Sequence, residues 1–169
     1  NYSWAGGAVI LEVGGTTTVS ESGGIDSDPV SETGGSGGTV NITTAYIAGS
    51  GDISANGSAP SGCCSGGSGG GGRVAIRLTA EDSFDNYTGT ISAYGNSTQN
   101  DSSNGTVFLK TANQTNGSLL IDGNNVPGVS AGYTDVYATL CGESENYDST
   151  CASNINIDSI ILRNYGRLS

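Results

Sequence analysis

Histidine and methionine are absent from this 169-residue chain, and its five basic residues stand against 16 acidic ones, for a formal charge of -11. Without a basic footprint the chain is not expected to bind nucleic acid, whose phosphates demand clustered Lys and Arg. Without histidine, the commonest general base and zinc ligand are both missing. No apolar run approaches the ~18 residues that a membrane-spanning helix needs, so membrane insertion is not expected. Nor does a charged segment followed by an apolar one open the chain at Asn1, which suggests a mature product or a portion of something longer.

Cysteine is sparse as well, with four residues, Cys63, Cys64, Cys141 and Cys151, and no zinc-type CxxC spacing. An even set of this kind suits an oxidising, extracellular location. Cys141 and Cys151 enclose GESENYDST and are expected to pair, stabilising the fold by roughly 2 to 3 kcal/mol. Adjacent Cys63 and Cys64 are harder to join to each other, because consecutive Cα atoms lie about 3.8 Å apart, short of the usual disulfide range. Bonds from this pair to Cys141 and Cys151, or to another chain, stay open as alternatives.

What the chain does have is glycine, 29 residues of it, set among short clusters of Val, Ile and Leu. Glycine-led segments recur as GAVILEV from Gly7, GTVNITT from Gly38, GRVAIRL from Gly72 and GTVFLKT from Gly105. Their starts lie 31, 34 and 33 residues apart (38-7, 72-38, 105-72). In each, alternate positions are apolar: Val9 and Leu11, Val40 and Ile42, Val74 and Ile76, Val107 and Leu109. A period of two predicts strands with these side chains on one face and Ile10, Asn41, Ala75 and Phe108 on the other. A second set reads GDISANG from Gly51, GTISAYG from Gly89 and GSLLIDG from Gly117, with Ile53, Ala55, Ile91, Ala93, Leu119 and Ile121 in the apolar phase. GGTTTVSESGGIDSD at Gly14 to Asp28 reads as a looser copy of the same unit, and Ile155 to Ser169 as a further coil or closing strand.

Two strands and glycine corners at a fixed period describe a coil that buries its apolar face only against neighbouring coils. The expected fold is all-β, a parallel β-helix or β-solenoid with glycine-rich turns, in a single domain over residues 1–169 with about four to five coils. An antiparallel β-sandwich built from the same short strands is the alternative.

Asn-x-Ser/Thr triplets occur at Asn1, Asn41, Asn56, Asn86, Asn96, Asn100, Asn104, Asn113 and Asn116, nine of the chain's 15 asparagines. Chance would supply about four, given that Ser and Thr make up roughly a quarter of the residues. Asn41 and Asn56 fall in the outward phase of their strands, the side from which a glycan can hang. The set points to N-glycosylation in a secretory pathway, with Asx turns as the simpler role for any single member.

Parallel β-helices include polysaccharide-cleaving enzymes, but the acids here are scattered, as in Asp82 and Asp85 or in Glu143, Glu145 and Asp148. No catalytic residue is assigned. No cofactor or metal is expected either, since IDSDPVSE at Ile25 to Glu32 offers oxygen ligands without matching a calcium-loop pattern. A regular threonine ladder of the ice-binding kind is interrupted by Arg77, Phe108 and Lys110. Tyr46, Tyr87 and Tyr94, read as outward, would suit a carbohydrate-binding or adhesin module.

Together GGSGGTVNITT, GSGDISANG, GGGGRVAIRL, GTISAYG, NGTVFLKT and SIILRNYGRL resemble the glycine-rich repeats of large extracellular surface proteins. Those include adhesin-like bacterial proteins and giant secreted proteins of protists and algae, some similar to components of flagellar hairs or other surface fibres. The resemblance runs from about Gly37 to the end and implies a structural or adhesive role outside the cell. The expected partners are further copies of the chain, stacked into a filament or tandem array, and glycans.

Overall fold

A computed structural model describes residues 4–30, 34–59, 67–96, 102–124, 134 and 156–167, and among them the chain is all-β with no helix. Its strands are β1 (Ala8–Val19), β2 (Gly24–Asp26), β3 (Thr39–Gly49), β4 (Asp52–Ser54), β5 (Arg73–Leu78), β6 (Ile91–Ser92), β7 (Thr106–Lys110), β8 (Ser118–Asp122) and β9 (Ser159–Arg163). They form a six-stranded sheet in the order β1-β3-β5-β7-β8-β9 and a three-stranded sheet in the order β2-β4-β6.

From β1 to β7 the chain visits the larger sheet and then the smaller one, three times in succession, before returning to the larger. All pairings on the way are parallel. Val9 lies opposite Val40, Val40 opposite Val74 and Val74 opposite Val107; Leu11, Ile42, Ile76 and Leu109 form the neighbouring column. Because side chains alternate across a strand, this register puts like on like in every layer. In the smaller sheet Ile25, Ile53 and Ile91 are in line. These columns meet between the sheets in one core with Ile47, Ala55, Leu78, Tyr87 and Ala93. Val40, Ile42, Ile53 and Ile76 are fully or almost fully enclosed. Burial of that kind contributes about 1.5 to 3 kcal/mol per large aliphatic side chain.

Glycine sets how closely the layers approach. A Cβ at Gly38, Gly72 or Gly105 would lie 1.9 to 2.0 Å from the carbonyl oxygen of Gly7, Gly38 or Gly72 respectively, so no larger residue fits those corners.

Three details depart from the sequence expectation. First, β1 runs on through GGTTTV to Val19, so that stretch completes the first strand, and only GID at Gly24–Asp26 starts the smaller sheet. The extension needs a bulge, where the β1 register shifts between Val13 and Thr16. Buried Thr44 fills it: its hydroxyl accepts from the Thr17 hydroxyl and lies 2.9 Å from the carbonyl oxygens of both Gly15 and Tyr46.

Second, GSLLIDG does not continue the smaller sheet. It forms β8 and pairs antiparallel with β7, Val107 opposite Leu120 and Phe108 opposite Leu119. The turn between them is short and internally bonded: the Thr111 N–H donates to Gln114 Oε1 at 2.9 Å and the Thr111 hydroxyl to Asn113 Oδ1 at 2.7 Å. So tight a connection makes a hairpin, whereas parallel neighbours need a longer crossover. Leu119 and Ile121 are buried as expected, yet on the face opposite Val107, in a second cluster with Ile157.

Third, β9 is the closing strand expected of Ile155 to Ser169 and joins β8 in parallel, but it buries no face: all five of its residues are exposed.

Candidate functional site

The candidate site is a surface of polar side chains laid across the layers, and the asparagines of the glycosylation triplets are its landmarks. Asn41 stands in the middle of the larger sheet's outer face, between Ile10 and Ala75 in register. Its Oδ1 accepts from Arg77 Nη1 at 2.8 Å, and the Arg77 guanidinium lies over the Phe108 ring, 5.2 Å from its centre. One arginine thereby ties three successive strands by a hydrogen bond and a cation–π contact. No described residue engages the Asn41 Nδ2, the atom that carries an N-linked sugar.

Asn56 is placed differently. The outward phase holds, but its side chain turns along the stack instead of away from it. The Asn56 N–H donates to Asp28 Oδ1 at 2.5 Å and its Nδ2 to Asp28 Oδ2 at 3.4 Å, while its Oδ1 accepts from the Tyr94 N–H at 2.7 Å. Asp28, Asn56 and Tyr94 each lie three residues beyond Ile25, Ile53 and Ile91, the registered core column. A carboxylate and then a carboxamide thus each receive the N–H of the equivalent residue one layer on. Backbone groups that a turn would leave unpaired are satisfied in this way. The same contacts occupy Asp28, one of the oxygen donors that IDSDPVSE offers to a cation.

Asn86 is exposed, and its Nδ2 donates to Glu81 Oε1 at 2.5 Å, while Glu81 Oε2 accepts from the Ile47 N–H at 3.0 Å. Asn104 Oδ1 accepts from the Gly95 N–H at 3.2 Å, and Asn113 belongs to the hairpin turn already described. Asn116 donates through both N–H and Nδ2 to Asp158, which also accepts from the Gly117 N–H at 2.9 Å. The Gly117 bond leads in holding the exposed Asp158 carboxyl below its usual range. Asn96 is partly buried, and its N–H donates to the Gly69 carbonyl at 3.1 Å. Asn1, Asn100, Cys63, Cys64, Cys141, Cys151 and the acids Glu143, Glu145 and Asp148 lie outside the described residues.

Of the tyrosines expected to face outward, Tyr46 is 47% exposed, Tyr94 is partly buried and Tyr87 only 7% exposed. Tyr87 is a core residue whose hydroxyl donates to the Gly51 carbonyl. Burial first, and then the charge of Asp52, push its phenol up to about 12. A ring already packed between two sheets has no face to offer a sugar.

Sequence reasoning missed the buried Asp122. Its carboxylate accepts from Arg163 Nε at 2.6 Å, from Asn164 Nδ2 at 3.0 Å and from the Asn124 N–H at 2.9 Å. Burial alone would raise this carboxyl, but the bonds from Asn124, Asn164 and Arg163 outweigh it and the net direction is down. The group joins β8 to the turn after β9; the acid and the arginine are 41 residues apart, so no local pattern announces them. Among the described residues no three Asp, Glu or Cys side chains converge as a metal site would require. Compared with protein-family models, with curated proteins and with solved structures, the chain matches none.

Proposed function

We propose that the chain is a short β-solenoid module of an extracellular filament, sheath or surface appendage, N-glycosylated on its outer side and acting through shape and assembly. The observation that carries this reading is the parallel pairing from β1 to β7, with Val9, Val40, Val74 and Val107 in one column and Leu11, Ile42, Ile76 and Leu109 in the next. Within such a stack no layer is intrinsically the last; β8 and β9 follow β7, and β1 and β9 are left as the sheet edges at which another copy could add. Asn41, partly exposed on the outer face, and exposed Asn86 support the reading of sugars along the sides and contacts at the ends.

Electron microscopy of the native protein, paired with intact mass before and after enzymatic deglycosylation, tests the proposal. Expected are particles that elongate by stacking and a mass loss on deglycosylation. Isolated particles with no mass change overturn it.

A further inference from the structure

The β1 end of the larger sheet differs from its middle in one respect that folding of a single chain does not explain. Gly7 occupies the same column as Gly38, Gly72 and Gly105. At those three positions the carbonyl of the preceding layer sits where a Cβ would be, whereas a Cβ at Gly7 meets nothing within 4 Å. Gly51 and Gly89 repeat the pattern in the smaller sheet, where a Cβ would stand 2.2 and 1.9 Å from a carbonyl oxygen, while Gly23 meets only its own turn at Ser20. Glycine weakens a strand interior and its entropic cost is about 0.5 to 1 kcal/mol relative to alanine, so its use at an open edge calls for a second cause.

The large exposed apolar side chains point the same way. Ile10 is 68% exposed on β1, and Ile160, Ile161 and Leu162 are 46 to 48% exposed on β9. β1 and β9 are the two outer strands of the larger sheet. Val9, Leu11 and Ile25, the first members of columns whose second members are wholly buried, stay only partly covered.

Charge distinguishes these two edges. The described residues 4–30 carry Glu12, Glu21, Asp26 and Asp28 and no Lys or Arg; the first basic residue of the chain is Arg73. The β9 edge, residues 156–167, carries Arg163 and Arg167 against Asp158, and Arg163 is paired with the Asp122 carboxylate of β8, so this edge is close to balanced in charge.

We propose that the β1 edge is a docking surface for a second copy of this chain, which lays its β9 edge against β1 and extends the six-stranded sheet. The pairing is head-to-tail, so it repeats without closing. Gly7 keeps room for the incoming backbone, the acidic β1 edge meets an edge of balanced charge where a second acidic edge would repel it, and exposed Ile10 and Ile160 to Leu162 gain apolar cover. This pairing rests on the stacking reading above and names the surfaces that do it.

Gly7→Val is the discriminating variant, since a Cβ at this position meets nothing within 4 Å in the single chain. Ile161→Asp alters the other edge. Sedimentation velocity over a wide concentration range, with thermal melts as the folding control, is expected to show open-ended association of the wild type. Each variant should melt within a few degrees of wild type yet associate about tenfold or more weakly. A wild type that stays monomeric overturns both the pairing and the stacking reading. Association unchanged by either variant overturns the edge assignment alone, and a closed dimer that responds to Gly7→Val but ignores Ile161→Asp overturns the head-to-tail geometry.

Discussion

The layers from β1 to β7 and the β8–β9 pair belong to one sheet but are held by different means. In the layers, apolar columns and close glycine contacts repeat, and polar side chains such as Asn56 serve the backbone of the next layer. In β8–β9 the direction reverses, the core moves to the other face, and two carboxylates, Asp122 and Asp158, anchor the strand ends. The first arrangement rests on enclosed volume; the second adds carboxylates held below their usual range.

Substitutions that add or remove volume in the layers should separate the regions most sharply. Gly72→Val puts a side chain against the Gly38 carbonyl, 2.0 Å from the Cβ position. A cost of about 3 kcal/mol or more is expected, read as loss of the cooperative thermal transition. Gly7→Val, in the same column, should leave that transition in place.

Ile42→Ala empties a site with no exposure and should cost about 2 to 5 kcal/mol in chemical denaturation. Ile161→Ala, on the exposed edge, should cost well under about 1 kcal/mol by the same measurement. Equal costs would contradict the contrast between core column and open edge.

Smaller, at about 1 to 2 kcal/mol, is the expected effect of Asn56→Ala, which leaves the Tyr94 N–H without its acceptor. Asn41→Gln removes a glycosylation triplet and should change mass without a comparable loss of stability.

The smallest effect depends on pH. Asp122 and Asp158 are both held below the ordinary carboxylate range. A carboxyl whose folded pKa lies below its unfolded value of about 3.9 stabilises the fold above that pH and loses its contribution as pH falls through the folded value. Amide protection of Leu119 to Ile121 and Ile160 to Leu162 should therefore fall in acid before that of Ile42 and Ile76. Asp122→Asn should reduce the difference.

Much of the layered region was legible in the amino-acid order. The G-x-V-x-I/L phase names the strands at Gly7, Gly38, Gly72 and Gly105, and the register found between them is the alignment of those phrases. Alternation also identified the buried side chains of Ile53, Ala55, Ile91 and Ala93 to within partial cover of Ile91. What alternation does not carry is strand direction. GSLLIDG has the right apolar phase, and only its spacing marks it: 28 residues from Gly89, against 38 between Gly51 and Gly89 (117-89, 89-51). The direction in which a side chain turns once outside the core was also hidden. Asn56 looks like Asn41 in sequence, but at a corner the nearest unpaired N–H lies along the stack, and the carboxamide goes to it. Tyr87 is the middle residue of the Asn86 triplet, which favours a surface reading; its burial goes with a contact to Gly51, 36 residues away, whose carbonyl accepts a hydrogen bond from the hydroxyl.

That like residues stack on like in parallel layers can be checked at single-residue level by methyl-to-methyl nuclear Overhauser effects in the isotopically labelled protein. Contacts are expected from Val40 to both Val9 and Val74, and from Ile76 to both Ile42 and Leu109. Contacts that instead link Val40 to Ile76 and Ile42 to Val74 in an antiparallel register would contradict the parallel stack.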